Sequence, residues 1–494
     1  MTSTIAAATR RTIADILTAV PTGLVIGGRV VPASDGAELD VFDPATGRSL
    51  ARVASATVED AAAALDAAAA AAAGWESTAP RERSAILSRA FELMISRGED
   101  LARLIVAENG KVLADARGEV SYAAEFLRWY AEEAVRIPGT LQTAPAGANR
   151  ILVSHKPIGI SILVTPWNFP AAMATRKIGP ALAAGCTVVL KPASDTPLTA
   201  LAIAAIFEQA GLPPGVINVL PSRRSGPVVE RLVSHPSTRK LSFTGSTEVG
   251  ITLLQLAART VVNTSMELGG NNPFIVFDDA DLDAAVAGAM IAKMRNGGEA
   301  CTAANRFYVQ RGIAAAFTDR LTAQMSALRL GPGDSETTRL GPLITAIART
   351  EINGLVEGAL AEGAALTTGG TVPAGEGFYY PATVLADVPA DAAILREEIF
   401  GPVAPIVAFD SEDEAVRLAN DTPFGLVSYL YTGDLARGLR VGGRLESGMV
   451  GLNRGLVSDP AAPFGGMKQS GIGREGGAEG MLEYLESQYT AVTW

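Results

Sequence analysis

From Gly159 onward the chain repeats one pattern: a short apolar run, a turn, then a helical stretch. The spacing predicts strands at 160–164, 187–190, 216–220 and 240–243. Helices are expected at 171–184, at 198–210 with an end at Gly211, and after Ser246. Strands that alternate with helices in this way pair in parallel, with helices covering both faces of the sheet. A second alternation begins at 273–277 and continues through a helix at 281–294 and a strand at 306–310. The expectation is two α/β lobes in tandem, with ligands in the crevices at the carboxyl ends of the strands. A chain of 494 residues also exceeds what a single core accommodates.

The flanking segments follow other rules. Residues 23–31 read as a hairpin around Gly27-Gly28, and residues 43–47 as a turn. Thr57 can cap a helix running through the Ala-rich stretch 61–73, since Ala is the best helix former. Pro80 suits the first turn of the next helix. Residues 136–157 read as a projecting strand pair, and 484–494 alternate weakly. Exposed edges of this kind pair with something, and another subunit is one candidate.

Composition narrows the function classes. Hydrophobic residues make up 48% and charged residues 19%, a globular balance. The net charge of −11 provides no general field for nucleic acid or an anionic membrane. No uncharged apolar run reaches the ~18–20 residues a membrane span needs. The Ala-rich stretch contains Asp66, and the apolar segment after Arg10 and Arg11 contains Asp15, with no clear cleavage site. The expected location is the cytoplasm. Two cysteines, Cys186 and Cys301, fit a reducing compartment, and His155 and His235 form no metal-ligand spacing.

Five segments carry candidate chemistry, and each has a plain structural alternative. Met266-Glu267-Leu268-Gly269-Gly270-Asn271 places an acid beside glycines; a tight turn with a solvated Glu is the alternative. Asn296-Gly297-Gly298-Glu299-Ala300-Cys301-Thr302 sets a cysteine on polar, Gly-rich flanks, whereas Cys186 reads as a small buried residue. Thr165-Pro166-Trp167-Asn168-Phe169-Pro170 holds an amide between prolines, as an oxyanion donor or a capping Asn. Leu190-Lys191-Pro192-Ala193-Ser194 presents a lysine for a ribose or phosphate, or merely for solvent. Residues 243–250, with Thr244-Gly245-Ser246, lead into a helix start that favours phosphate, without the standard dinucleotide fingerprint.

In this order and spacing the segments resemble the aldehyde dehydrogenase superfamily over nearly the whole chain. Glu397-Glu398-Ile399-Phe400-Gly401-Pro402 and Pro463-Phe464-Gly465-Gly466 add to the resemblance. It implies a Rossmann-type cofactor domain (1–134 and 158–266), an α/β catalytic domain (267–466) and small β oligomerisation strands (135–157 and 480–494). A homodimer or homotetramer is implied with it. Cys301 would attack the aldehyde to give a thiohemiacetal, with Asn168 and the Cys301 N–H holding the oxyanion. Hydride transfer to a nicotinamide would leave a thioester, and Glu267 would activate the hydrolytic water. Thr165, Pro166, Trp167, Lys191, Ser194, Gly245, Ser246, Leu268, Glu398 and Phe400 would contact NAD or NADP, and no metal is required.

Within the superfamily the chain looks most like succinate-semialdehyde dehydrogenases. Arg176, Arg295 and Ser458 stand where that subfamily binds the far carboxylate, a task suited to guanidinium forks. Glutarate semialdehyde, a general aliphatic aldehyde, CoA as acyl acceptor and a non-catalytic role are the competing readings. Two positions depart from relatives: Glu299 replaces a frequent Gln and is expected to face away from the pocket. Ala303 replaces a cysteine that forms a redox-switch disulfide in some relatives. NAD-restricted members often carry Glu at the position of Ser194, so NADP is the expected preference.

Overall fold

Val164 and the four residues before it are all buried, so the strand Ile160–Val164 is covered on both faces, with Ser161 its one polar residue. Burying an aliphatic side chain such as Ile162 or Leu163 contributes about 1.5–3 kcal/mol, which makes a central strand the only stable place for such a segment. The computed structural model describes residues 11–494. Residues 1–10, including Arg10 and the start of the expected cofactor domain, lie outside the described residues.

Ile160–Val164 is central to an eight-stranded sheet. Its parallel part runs Ile217–Val219, Val188–Lys191, Ile160–Val164, Thr238–Thr244 and Asn263–Glu267 across the sheet. The chain builds outward in one direction from Ile160–Val164, then returns to lay Thr238–Thr244 on its other side. This reversal of strand order opens a crevice beyond the carboxyl ends of those two strands. Antiparallel pairs close the edges: the hairpin Leu24–Ile26 with Arg29–Val31 on one side and Gly471–Ile472 on the other. The helix Pro170–Ala184 packs with Leu113–Glu133 and Pro80–Ser96 in one apolar cluster against this sheet.

A second sheet of seven strands is parallel from Thr383–Ala386 through Val403–Phe409, Ala304–Gln310, Asn272–Val276 and Val427–Tyr431 to Met449–Leu452. The fold is α/β with two parallel-strand lobes. Local signals hold: Thr57 and Asp60 form a reciprocal cap on the helix Val58–Ser77, and Pro80 opens Pro80–Ser96. One expectation changes. The C-terminal strand Leu485–Val492 has one of its two edges covered within the chain, antiparallel to Arg150–Pro157. Both outer strands of that three-stranded sheet, Thr140–Thr143 and Leu485–Val492, keep one open edge and are largely exposed. Among the described residues no helix is long and apolar enough to cross a membrane.

Candidate active site

The crevice at the strand reversal receives the turn 165–169. Thr165 N–H donates to Lys191 O at 3.2 Å, so two strand ends stay in step. Carbonyl contacts then fix the turn. Trp167 O accepts from Asn109 Nδ2 and Thr196 Oγ1, and Asn168 O accepts from Lys111 Nζ at 2.7 Å and Asn296 Nδ2 at 3.0 Å. Lys111 is buried and paired with Glu119 at 2.5 Å. The other Glu119 oxygen accepts from Ala171 N–H at 2.8 Å, an anion at the positive end of the helix Pro170–Ala184.

The Cys301 segment approaches from the second lobe. Beyond the helix Leu282–Met294, Asn296, Gly297 and Gly298 take φ of 55°, 62° and 82° in succession. A Cβ on Gly298 would sit 2.2 Å from Gly401 O, so only glycine allows the two loops to touch. Asn272 Nδ2 holds Cys301 O at 2.7 Å, and a Cβ on Gly270 would lie 2.8 Å from the same oxygen. The glycines after Glu267 therefore let the Cys301 loop and the Glu267 strand end come together. Cys301 remains partly exposed, facing a cavity of about 210 Å³.

That cavity gathers Pro166, Trp167, Asn168, Gly245, Ser246, Glu267, Leu268, Cys301, Glu398 and Phe400. Glu267 ends the strand Asn263–Glu267, and its backbone oxygen accepts from Gly245 N–H at 3.1 Å. Burial, reinforced by the Glu475 carboxylate, pushes the Glu267 carboxyl well above its ordinary pKa; Arg176, Lys177 and Arg474 oppose the shift. Burial also pushes the Cys301 thiol up to about 12, against the pull of Arg176 and with a further push from Glu398 and Glu267. At neutral pH Cys301 thus rests as a thiol, and a reaction through its thiolate would need a base. Glu398, pushed up to about 7 by burial, accepts from Gly270 N–H at 3.1 Å. The Phe400 ring meets Trp167 edge to face at 5.5 Å.

Glu299 faces elsewhere. Its carboxyl is buried, accepts from Ile344 N–H at 3.0 Å and lines a different recess with Lys111, Asn296 and Arg339. Burial pushes it up to about 8. Its backbone oxygen receives Asn168 Nδ2 at 3.1 Å.

The remaining expected residues divide among other places. Arg295 and Ser458 share a cavity of about 240 Å³ with Tyr122, Phe169 and Leu456. Arg295 lies over the Phe169 ring at 4.8 Å. Arg176 does not line that cavity: it is buried over the Phe464 ring, with Nε 2.5 Å from Glu475 Oε2. Lys191 is buried, and desolvation lowers its ammonium to about 8, partly countered by Asp195. Ser194 opens on a third cavity of about 390 Å³, beside Arg223.

Residues 30–490 match the profile of the aldehyde dehydrogenase family. The chain belongs to that family. It is 56% identical over 443 residues to a succinate-semialdehyde dehydrogenase of Paenarthrobacter nicotinovorans, covering 90% of this chain and 98% of that protein. It is 48% identical to a glutarate-semialdehyde dehydrogenase of Pseudomonas putida, covering 95% and 97% respectively. The crystal structure of succinate-semialdehyde dehydrogenase from Burkholderia pseudomallei superposes with a TM-score of 0.95 at 48% identity, over 97% of this chain and 99% of that one.

An aldehyde dehydrogenase uses NAD(P)⁺, and the residues present fit such a group. Ser246 caps the helix Thr247–Ala258, whose first N–H groups suit a phosphate. A carboxylate, an aromatic pair and the thiol share one cavity with that helix start. Sequence reasoning about this aldehyde dehydrogenase missed Tyr122, Arg223 and Glu475. Glu475 had a readable cue in its flanking glycines at 473, 476 and 477. Tyr122 and Arg223 lie in no motif, and only their placement beside Arg295 and Ser194 singles them out.

Proposed function

We propose that this aldehyde dehydrogenase oxidises succinate semialdehyde to succinate, with NADP⁺ preferred over NAD⁺. The supporting observation is Arg295, a cation that forms no ion pair among the described residues and opens with Ser458 on one cavity. Its charge acts on Cys301, as does that of Arg176. An aldehyde bound to Cys301 with a far carboxylate at Arg295 joins the two features. The carboxylate exchanges its hydration for charge-assisted hydrogen bonds.

The chain's own residues then have separate tasks. Cys301 Sγ attacks the aldehyde carbon as its proton passes to Glu267. A buried carboxylate beside Glu475 binds that proton tightly, which suits a base. Asn168 Nδ2 gives one N–H to Glu299 O and keeps the other for the oxyanion. A bound nicotinamide would supply the acceptor for the hydride that the Cys301 thiohemiacetal loses on becoming a thioester. After Glu267 releases the thiol's proton to solvent, it takes a second proton from the water that attacks the thioester and passes it to the departing Cys301 sulfur, which leaves succinate and the free thiol. Lys191 and Ser194 hold the adenosine side. Ser194 leaves out the repulsion a carboxylate would exert on a 2′-phosphate, and Arg223 adds a cation beside it.

The deciding experiment measures reduced-cofactor formation with NADP⁺ and succinate semialdehyde against propanal at equal concentration. A strong preference for the semialdehyde supports the reading; equal turnover of propanal reduces it to a general aldehyde dehydrogenase. Catalytic efficiency with NAD⁺ equal to that with NADP⁺ refutes the cofactor preference. Glutarate semialdehyde is the second reading, favoured by the similarity to the P. putida enzyme. One methylene is worth only ~1–3 kcal/mol in a pocket, so kcat/KM across chain lengths separates the two. The exposed strand Thr140–Thr143, with Leu141 outward, supports assembly as a dimer or a pair of dimers, which light scattering resolves.

A further inference from the structure

We propose that Tyr122 is a direct hydrogen-bond donor to the far carboxylate of the substrate, completing a site with Arg295 and Ser458. This rests on the semialdehyde reading above and extends it to a residue that no motif marked.

Tyr122 stands on the helix Leu113–Glu133 and lines the same cavity as Arg295 and Ser458. Its hydroxyl oxygen is sealed from solvent and has no hydrogen-bond partner of good geometry. The charged groups acting on it are Arg176 and Arg295, with Cys301 next. Guanidinium groups only donate, so the phenol oxygen can accept from them but its own hydrogen finds no acceptor there.

The acids in the cavity wall are engaged elsewhere. Asp115 accepts from Asn296 N–H at 2.8 Å, and Glu119 from Lys111 and Ala171 N–H. Glu475, behind Arg176, is taken by that arginine and by Lys177. What remains is an O–H without an acceptor, flanked by two cations. A carboxylate complements this set: it accepts from the phenol while the guanidinium charge balances its own. Since buried polar groups are normally paired, the missing partner at Tyr122 indicates a ligand atom. The ring sits on a helix, so its hydroxyl marks a fixed distance from Cys301 and favours one chain length.

The test compares the full-length wild type with Tyr122→Phe, which keeps the ring. KM and kcat are measured for succinate semialdehyde and for butanal, which has the same carbon count and no carboxylate. Succinate binding is measured in parallel by calorimetry. The expected result is a KM for the semialdehyde raised about 10–100-fold, as for a lost hydrogen bond to a charged group, with kcat within about threefold. Succinate affinity falls by the same factor, and butanal turnover is unchanged, which also reports correct folding. An unchanged semialdehyde KM, or an equal rise for butanal, overturns the role of Tyr122 alone. A wild type that neither prefers the semialdehyde to butanal nor binds succinate overturns both this inference and the substrate reading.

Discussion

Arg176 Nε lies 2.5 Å from Glu475 Oε2 in an interior where both side chains are almost fully sequestered from water. Lys177 reaches the other oxygen of the same carboxylate. The two cations hold Glu475 ionised, below its ordinary pKa in spite of burial. Glu475 in turn raises Glu267. Two neighbouring carboxyls are thereby pushed apart: Glu475 is held as the anion, and Glu267, raised by burial and by Glu475, holds a proton more tightly, as the proposed base role requires.

Glu475→Gln is expected to lose both stability and the pH setting of the site. It leaves two buried cations uncompensated, a loss of about 3–5 kcal/mol for a broken buried pair. It also removes the repulsion that raises Glu267, so the rising limb of the activity–pH profile moves to lower pH. Thermal unfolding and a pH–rate profile check the two effects separately; an acid limb that stays in place breaks the proposed link to Glu267.

Cys301→Ala is expected to lower dehydrogenase activity at least ~10³-fold while leaving the fold intact, because the nucleophile has no substitute in the cavity. Activity with NADP⁺ and succinate semialdehyde, alongside circular dichroism, tests this. Retention of wild-type oxidation would remove Cys301 from the mechanism.

Glu299→Gln is expected to keep kcat/KM within about threefold, because the carboxyl turns to Ile344 N–H and not to the thiol. Its folded pKa of about 8 exceeds the unfolded value of 4.5. Between those values the unfolded chain binds fewer protons than the folded one, so stability falls as pH rises from 4.5 to 8. The Gln variant lacks this loss. Melting temperatures at pH 5 and pH 8.5 should therefore converge in Glu299→Gln relative to wild type.

Ser194→Glu is expected to lower kcat/KM with NADP⁺ by ~10–100-fold and leave that with NAD⁺ within about threefold, through repulsion of the 2′-phosphate. Lys191 loses its charge as pH rises through about 8, so the proposed preference for NADP⁺ should also weaken above that pH. Steady-state kinetics with both cofactors at pH 7 and 9 check both statements.

The sequence alone determined the features that arise from neighbours along the chain. Strand–helix alternation, the Thr57 cap and the Pro80 helix start depend on local propensity and turn chemistry, and they appear in place. Cys301, Glu267 and Asn168, singled out by their local glycine and proline flanks, line one cavity. The short helix Ser225–Val233 carries its own local mark in Val228, Val229, Leu232 and Val233 at helical spacing, whereas the hairpin of Glu38–Asp43 with Arg48–Ala54 showed only its turn.

Only the tertiary structure decided which charges meet. Arg176 and Arg295 read alike in the sequence, each a guanidinium at a matching position. The fold buries one against Glu475 and Phe464 and leaves the other open to a cavity beside Tyr122 and Ser458. The reason is physical: a charge entering the interior must be paired by whatever the packing brings near, and those partners lie far along the chain. In the same way, the return of Leu485–Val492 to Arg150–Pro157 is a matter of long-range pairing, which no local pattern records.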